Sequence, residues 1–183
     1  MPTLADDRVG VAVHSQNTGV VSSAADGGAT DRPDVAVGPP AATGAALADR
    51  LHGGCVVCSR RNPRGLGLCF RPAADGSGVT TEFPCDADFQ GYDGLVHGGV
   101  VSMLLDGAMA HCLFHQGRVG HTGELVVRFR QGVLVGRPAA VSARLVRSKG
   151  RMHELSAELR QDGVVKAEAT ARFMEDRGQG APR

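Results

Sequence analysis

The segment that most constrains the fold is GLVHGGVVSMLLDGAMAHCLF, residues 94–114. From His97 onward its apolar residues occupy nearly the whole circumference of a helix with 3.6 residues per turn. A helix that is apolar on all sides is buried in a core rather than laid on a surface. We therefore predict a helix from His97 to about Phe114, and the rest of the chain must supply the elements that enclose it.

Short alternating segments on both sides of this helix predict the strands. Alternation of apolar and polar residues is typical of a strand with one buried face, and pairs such as Asp162-Gly163 mark the turns between strands. The predicted strands are Gly65–Arg71, Gly78–Pro84, Glu124–Arg130, Ala139–Val146, His153–Arg160 and Val164–Met174. This order is typical of an α+β fold in which one helix covers an antiparallel sheet.

The two ends of the chain differ from this domain. Residues 1–45 contain no Phe, Tyr or Trp and have no sustained period, which predicts a disordered N-terminal tail. An extended arm on a partner subunit is the alternative. A weak apolar stripe over Ala41–Leu51 is compatible with a short helix. We assign residues 46–175 to one domain and residues 176–183 to a flexible C-terminus.

Composition excludes several classes of function. The formal net charge of the 183-residue chain is only +1, so we expect no nucleic acid as partner. No apolar run approaches the ~20 residues that span a bilayer, so we expect no membrane partner. The N-terminus carries acidic residues and lacks the apolar stretch of a secretory signal, which predicts a cytoplasmic protein. Five cysteines, an odd number, fit reduced thiols.

Two features of the long helix point to chemistry. Asp106 lies in an otherwise apolar run, and burial of an unpaired charge is costly. Gly98 and Gly99 stand at the expected helix start, although glycine weakens a helix. One hypothesis explains both: the glycine amides bind a developing negative charge, and Asp106 does the chemistry. The alternative is a capped helix with Asp106 in a structural hydrogen bond.

The spacing of these residues constrains how they act. His97 and Asp106 are nine residues apart, which on a helix means about 13 Å and half a turn. They cannot hold the same atom. Either only one is functional, or each site combines Gly98 of one subunit with Asp106 of another, and a two-fold axis then gives two equivalent sites. His97 is assigned a supporting role at the helix start, with direct catalysis as the alternative.

Cysteine and glycine motifs give little support for a cofactor. Cys55 and Cys58 form a CxxC pair, but zinc normally needs four ligands and no second CxxC follows. Cys69, Cys85 and His52 would complete a site only by chance of folding. We therefore predict no metal, and half-buried thiols at the entrance to the first strand. No P-loop or GxGxxG motif is present, so we expect no nucleoside triphosphate, NAD or other cofactor.

Two basic groups are candidate phosphate contacts. Arg128 and Arg130 share a strand face because strand side chains alternate with a period of two. Lys149 and Arg151 flank Gly150 at a turn between strands. Guanidinium groups suit phosphates, but a solvated outer face and a plain charged hairpin are the alternatives.

Three segments resemble the hotdog-fold acyl-CoA thioesterases. They are CVVCSRRNPRGLGLCF, DFQGYDGLVHGGVVSMLLDGAMAH and HTGELVVRFRQGVLVGRP. The resemblance covers about Cys55 to Met174 and is greatest to the phenylacetate-pathway and thioesterase-superfamily-member branch, related to the 4-hydroxybenzoyl-CoA thioesterases. It implies a central helix wrapped by a curved antiparallel sheet. It also implies a homodimer, often within a homotetramer, with two active sites at the dimer interface.

The resemblance also assigns roles to individual residues. It places the catalytic carboxylate on Asp106, the helix-start glycine whose amide polarises the thioester carbonyl on Gly98, an amide side chain approximately on Gln90, and a hydroxyl on Thr122. Gly99 and the two basic groups would contact the substrate. Three departures bear on substrate identity more than on the reaction: Gly107 where Glu is common, Gln131-Gly132 where Arg-Pro is usual, and Tyr92-Asp93 in the preceding loop.

The combined prediction is a homo-oligomeric acyl-CoA thioesterase that needs no metal. Asp106 would activate a water as general base or attack as nucleophile, and the sequence leaves both open. A non-catalytic acyl-CoA binding protein of the same fold is the first alternative. An enoyl-CoA hydratase is the second, but it uses an Asp-His pair that the helix spacing does not provide within one chain. The acyl group is left open.

Overall fold

The computed structural model describes residues 42–175, which form two α-helices and six strands. The elements are α1 (Ala42–Leu51), β1 (Arg71–Pro72), β2 (Gly78–Phe83), α2 (Gly98–His115), β3 (Gly120–Phe129), β4 (Ala139–Lys149), β5 (Met152–Gln161) and β6 (Val164–Glu175). Helix α1 agrees with the weak stripe over Ala41–Leu51 and begins inside the stretch assigned to the tail. The rest of that tail, residues 1–41, and the C-terminal stretch 176–183 lie outside the described residues.

The six strands form one antiparallel sheet in the order β1-β2-β4-β5-β6-β3. Helix α2 contacts each strand from β2 to β6, so it lies across the sheet. This confirms the α+β prediction of one long helix on an antiparallel sheet. No helix between residues 42 and 175 has the length and apolar character needed to cross a membrane.

The core lies between α2 and the sheet. From α2, Leu104, Leu105, Met109 and Leu113 are fully buried. The sheet contributes alternate residues, and the largest of these are Phe83, Leu155, Leu159 and Phe173. Full burial of one such side chain contributes about 1.5–3 kcal/mol relative to exposure. Helix α2 is thereby fixed against the sheet along its length, and the polar groups that it carries are fixed with it.

The prediction of a strand over Gly65–Arg71 is wrong except at its last residue, because only Arg71 and Pro72 pair with β2. Upstream, the Leu66 N–H donates to Val56 O at 2.7 Å and the Leu68 N–H to Val57 O at 3.0 Å. Gly67 between them has φ +61°, which interrupts an extended strand. The alternation is real, but this segment pairs with the loop that carries Cys55 and Cys58 instead of with the sheet.

The remaining strand predictions are confirmed, with shifted boundaries. Strand β4 runs to Lys149, three residues past the predicted end at Val146. Strand β3 begins at Gly120, four residues before the predicted start at Glu124. Its pairing with β6 shifts register between Thr122 and Glu124, which is a β-bulge. A bulge breaks the period of two, so alternation could not indicate this part of the strand.

Candidate functional site

The start of α2 is capped by His97. Its Nδ1 accepts a hydrogen bond from the Gly99 N–H at 2.9 Å, and its carbonyl oxygen accepts from the Val100 and Val101 N–H groups. The Gly98 N–H has no acceptor among residues 42–175. The first turn of a helix carries a partial positive charge. Gly98 is therefore the free, exposed donor at this helix start, whereas the Gly99 N–H serves the cap.

Phe129 and Gln90 lie next to this helix start. A Cβ on Gly98 would lie 3.5 Å from Phe129 Cζ, so the aromatic ring at the end of β3 is next to the helix start. The His97 N–H donates to Phe89 O at 2.8 Å, which brings Gln90 beside the same turn. Gln90 Oε1 accepts from the Gly94 N–H at 2.8 Å. We call Gln90, His97, Gly98 and Phe129 the helix-start cluster.

Asp106 is held by a side chain from β3. Thr122 Oγ1 donates to Asp106 Oδ1 at 2.7 Å. Asp106 is half-buried and Thr122 is exposed, so solvent reaches this pair. A short hydrogen bond to a carboxylate fixes its orientation. The hydroxyl that the resemblance placed on Thr122 therefore contacts the carboxylate itself.

Two histidines lie near this carboxylate and were not predicted to take part in the reaction. His52, at the end of α1, is close enough to Asp106 and His121 for their charges to act on its pKa. Burial lowers the pKa of His52, outweighing the opposite effect of Asp106, and His121 lowers it further. His52 is far from Asp106 in sequence, so spacing gave no signal of the contact. We call His52, Asp106, His121 and Thr122 the carboxylate cluster.

The two clusters are separate within one chain. Gly98 and Asp106 are eight residues apart on α2, which corresponds to about 12 Å along the helix axis. Thr122 bonds to Asp106 in one cluster, whereas Gln90 and His97 bond to Gly94 and Gly99 in the other. A single chain therefore presents a donor group and a carboxylate at two places, as the helical spacing predicts.

The predicted phosphate contacts fall into two groups. Arg130 forms an ion pair with Glu168 at 3.0 Å, and the Arg151 guanidinium donates twice to Glu175 O, which ties the β4–β5 turn to the end of β6. Arg128 and Lys149 are exposed and have no ion pair within the described part of the chain. Arg128 and Lys149 are therefore the more available of the four.

Gly107, one of the departures from the family pattern, has a local steric cause. A Cβ at this position would lie 2.8 Å from Val57 Cγ1. Such a distance is shorter than real Cβ contacts, so α2 and the loop at Val57 approach closely only because residue 107 has no side chain. Any larger residue here would displace the loop.

A second group of polar side chains could bind a metal ion. Ligand atoms of His52, Cys58 and His111 all lie within 4.8 Å of one another. The sequence indicated Cys69, Cys85 and His52 as the residues that could complete a site with the CxxC pair. His111 was not predicted because it sits in the apolar helix with no motif around it. Cys55 and Cys58 are half-buried thiols, as predicted.

Comparisons with known proteins support the fold. Residues 86–174 match the family model of the acyl-CoA thioesterase N-terminal domain. A thioesterase superfamily protein of known structure is 24% identical over 64% of this chain, with a TM-score of 0.61, and the match spans only 61% of that relative. A putative thioesterase of Ralstonia eutropha JMP134, described as phenylacetic acid degradation-related, is 25% identical over 70% of this chain and 98% of its own, with a TM-score of 0.57.

A structure with a bound ligand is also similar. A hypothetical thioesterase of Streptococcus pneumoniae TIGR4, solved with coenzyme A, is 16% identical over 57% of this chain and 85% of that protein, with a TM-score of 0.54. Among curated proteins the sequence has no match.

Proposed function

We propose that this chain, whose residues 86–174 match the acyl-CoA thioesterase family model, is a hotdog-fold thioester hydrolase that converts an acyl-CoA to a free acid and coenzyme A. Each site would combine Gly98 of one subunit with Asp106 of another. The observation that carries the proposal is the orientation of Asp106 by Thr122 while the Gly98 N–H stays free. Thioester hydrolysis uses a base or nucleophile and a donor for the developing oxyanion, and the oriented carboxylate and the free amide can supply them.

The edge of the sheet supports a shared site. Strand β3 is the last strand of the sheet and, among residues 42–175, pairs only with β6. Val126 and Phe129 on it are 44% and 55% exposed. A long unpaired edge with apolar side chains is a surface that proteins normally cover. We propose that β3 of a second copy covers it in an antiparallel arrangement, forming the homodimer.

Such a dimer would join the two clusters. Thr122, in the carboxylate cluster, and Phe129, in the helix-start cluster, lie at opposite ends of β3, about 23 Å apart along the strand. An antiparallel pairing centred near Val126 sets the Thr122 end of one strand against the Phe129 end of the other. Both copies are equivalent across the two-fold axis, so two composite sites result. Whether two dimers then form a tetramer is a separate question of assembly.

The chemistry follows from the two groups. The thioester carbonyl oxygen would accept a hydrogen bond from the Gly98 N–H, where the helix N-terminus also stabilises the developing negative charge. Asp106 would take a proton from a water whose oxygen attacks the carbonyl carbon. The carbon–sulfur bond then breaks, and the coenzyme A thiolate takes up a proton. Attack by Asp106 itself, followed by hydrolysis of the anhydride, is the nucleophilic version.

The coenzyme A part of the substrate needs positive charge for its phosphates. We assign this role first to Arg128 and Lys149, which have no ion pair among the described residues, and second to Arg130 and Arg151. Gln90 would contact the substrate through its amide NH₂ group, because its oxygen is already bonded to Gly94. We further propose a cytoplasmic location, and the relation to 4-hydroxybenzoyl-CoA thioesterases stays a prediction.

The test is release of free thiol by the purified protein from a panel of short, long and aromatic acyl-CoAs. We expect turnover of at least one member and a dimer or a multiple of it in solution. Binding of acyl-CoA without hydrolysis, measured calorimetrically on the same panel, would instead identify a non-catalytic acyl-CoA binding protein. A fully active monomer would rule out the shared site while leaving the thioesterase activity in place.

A further inference from the structure

Three metal-ligand side chains meet in a group that shares His52 with the carboxylate cluster. His52 follows α1, Cys58 lies in the loop after it, and His111 lies in the second half of α2. Cys58 Sγ is 3.8 Å from His52 Nδ1. His111 is far from both in sequence, so it joins this local pair only through tertiary packing.

A buried nitrogen of His111 points independently to a ligand of this group. The residue is only 7% exposed, and its Nε2 has no hydrogen-bond partner among the described residues. Its ring is fixed, because it stacks on Phe70 at 4.3 Å between centroids and meets His52 and Phe114 edge-on. Buried polar atoms nearly always have a partner, and an orphan of this kind requires an explanation.

We propose that His52, Cys58 and His111 form a binding site for a zinc-type divalent metal ion. One thiolate and two imidazoles are a ligand set that suits zinc. Tetrahedral bonds of about 2.0 Å to nitrogen and 2.3 Å to sulfur set neighbouring ligand atoms roughly 3.3–3.6 Å apart. The observed 3.8 Å between Cys58 Sγ and His52 Nδ1 needs only a few tenths of an ångström of contraction.

The surroundings of the site leave room for a metal ion and a further ligand. A metal would displace the thiol proton of Cys58 to solvent and bind the neutral imidazole ring of each histidine. All three residues line a cavity of roughly 850 Å³, which has room for a water as fourth ligand.

The ion would act as a structural clamp. It would tie the end of α1 and the cysteine loop to α2, next to the helix turn that carries Asp106. None of its three ligands supplies the oxyanion donor or the carboxylate of the proposed reaction. The inference therefore stands or falls independently of the thioesterase activity.

The test is zinc binding by untagged full-length protein that has been stripped with chelator under reducing conditions. We expect about one equivalent of zinc per chain, and a thiolate-to-metal charge-transfer band when cobalt(II) replaces zinc. Cys58→Ser and His111→Gln should each weaken zinc binding by roughly 100-fold or more, because loss of outer-shell partners alone costs 10–100-fold. The cobalt band should disappear in Cys58→Ser.

Cys69→Ser is the matched control, since Cys69 lines the same cavity but is outside the ligand group. It should bind zinc like the wild type. A wild-type protein that binds well below one equivalent would overturn the proposal, and this measurement does not depend on whether the variants fold. Unchanged zinc affinity in folded Cys58→Ser and His111→Gln would overturn it as well.

Discussion

Asp106 and His111 are five residues apart on the same apolar helix, and their surroundings are opposite. Asp106 is half-buried and receives a hydrogen bond from Thr122, whereas His111 is buried, fixed by stacked rings and has no partner for its Nε2. The difference comes from what covers each face of α2. Strand β3 leaves Asp106 open to solvent, and the loop after α1 encloses His111. A polar residue in an apolar helix thus acquires its chemistry from the element packed over it.

The largest effect on turnover should come from a substitution of Asp106. Asp106→Asn keeps the size of the side chain and removes its basicity, so kcat/KM for thiol release should fall by about 10²–10⁴-fold. Glu82→Gln, the same change at an exposed carboxylate on β2, should leave the rate unchanged. Thermal unfolding should be similar in both proteins. Near-normal turnover in Asp106→Asn would show that Asp106, like His111, belongs to structure and not to the reaction.

Gly98→Pro removes the free N–H with little harm to the fold. Proline is tolerated at the first helical position, and His97 already has the extended conformation that precedes proline, with φ −60° and ψ 133°. Loss of one oxyanion donor should lower kcat by about 10²–10³-fold. Ser102→Ala, which removes a hydroxyl one turn further along α2, is the control and should keep its activity.

Mixing these two inactive variants tests whether the clusters come from different subunits. Random refolding of Asp106→Asn with Gly98→Pro makes half of the dimers mixed, and one of the two sites in each mixed dimer is intact, so about a quarter of wild-type activity should return. Either variant refolded alone should stay inactive. No recovery in a mixture shown by native mass spectrometry to contain mixed dimers would place both groups of each site in one chain.

Thr122→Val removes the hydrogen bond that orients Asp106 and keeps the branched shape. We expect kcat to fall by roughly 10-fold, since a hydrogen bond to a charged group contributes about 1.5–3 kcal/mol and water partly replaces it. Thr170→Val, on an exposed position of β6, is the matched control. A change in KM alone would indicate that Thr122 binds substrate and does not orient the carboxylate.

Arg128→Gln should give the smallest effect. Its exposed guanidinium would contribute about 1 kcal/mol to phosphate binding, so KM for acyl-CoA should rise roughly 5-fold with kcat unchanged. The difference from wild type should shrink at high salt because the contact is screened. Arg144→Gln, at an exposed position of β4, is the control. An equal rise in KM for both variants would indicate a general effect of positive charge instead of a specific contact.

Sequence patterns predicted the elements of the fold well where side-chain alternation is regular. They failed at Gly65–Arg71, where the alternating segment pairs with a loop, and at the start of β3, where a bulge breaks the period. Asp106 and Gly98 were found because each is unusual in an apolar helix. Thr122 was assigned only through the family resemblance, and its contact with Asp106 joins two elements.

The meeting of His52 and His111 could not be predicted from the sequence. Their meeting with Cys58 depends on how α1 and the following loop fold back onto α2, and no spacing in the sequence encodes that contact. The isolated CxxC motif argued against a metal because no second CxxC follows it and His111 was not considered as a ligand. The ligand that changes the interpretation lies inside the helix that alternation and hydropathy assign to the core.

Gly107 has a consequence for the cysteine loop. A Cβ there would meet Val57 Cγ1 at 2.8 Å, so a larger residue at 107 requires Val57 or its loop to shift. The same loop carries Cys58, whose thiol lies close to His111. A shift of the loop would separate the thiol from the imidazole. The absence of a side chain at residue 107 therefore bears on whether the histidine–cysteine group can form.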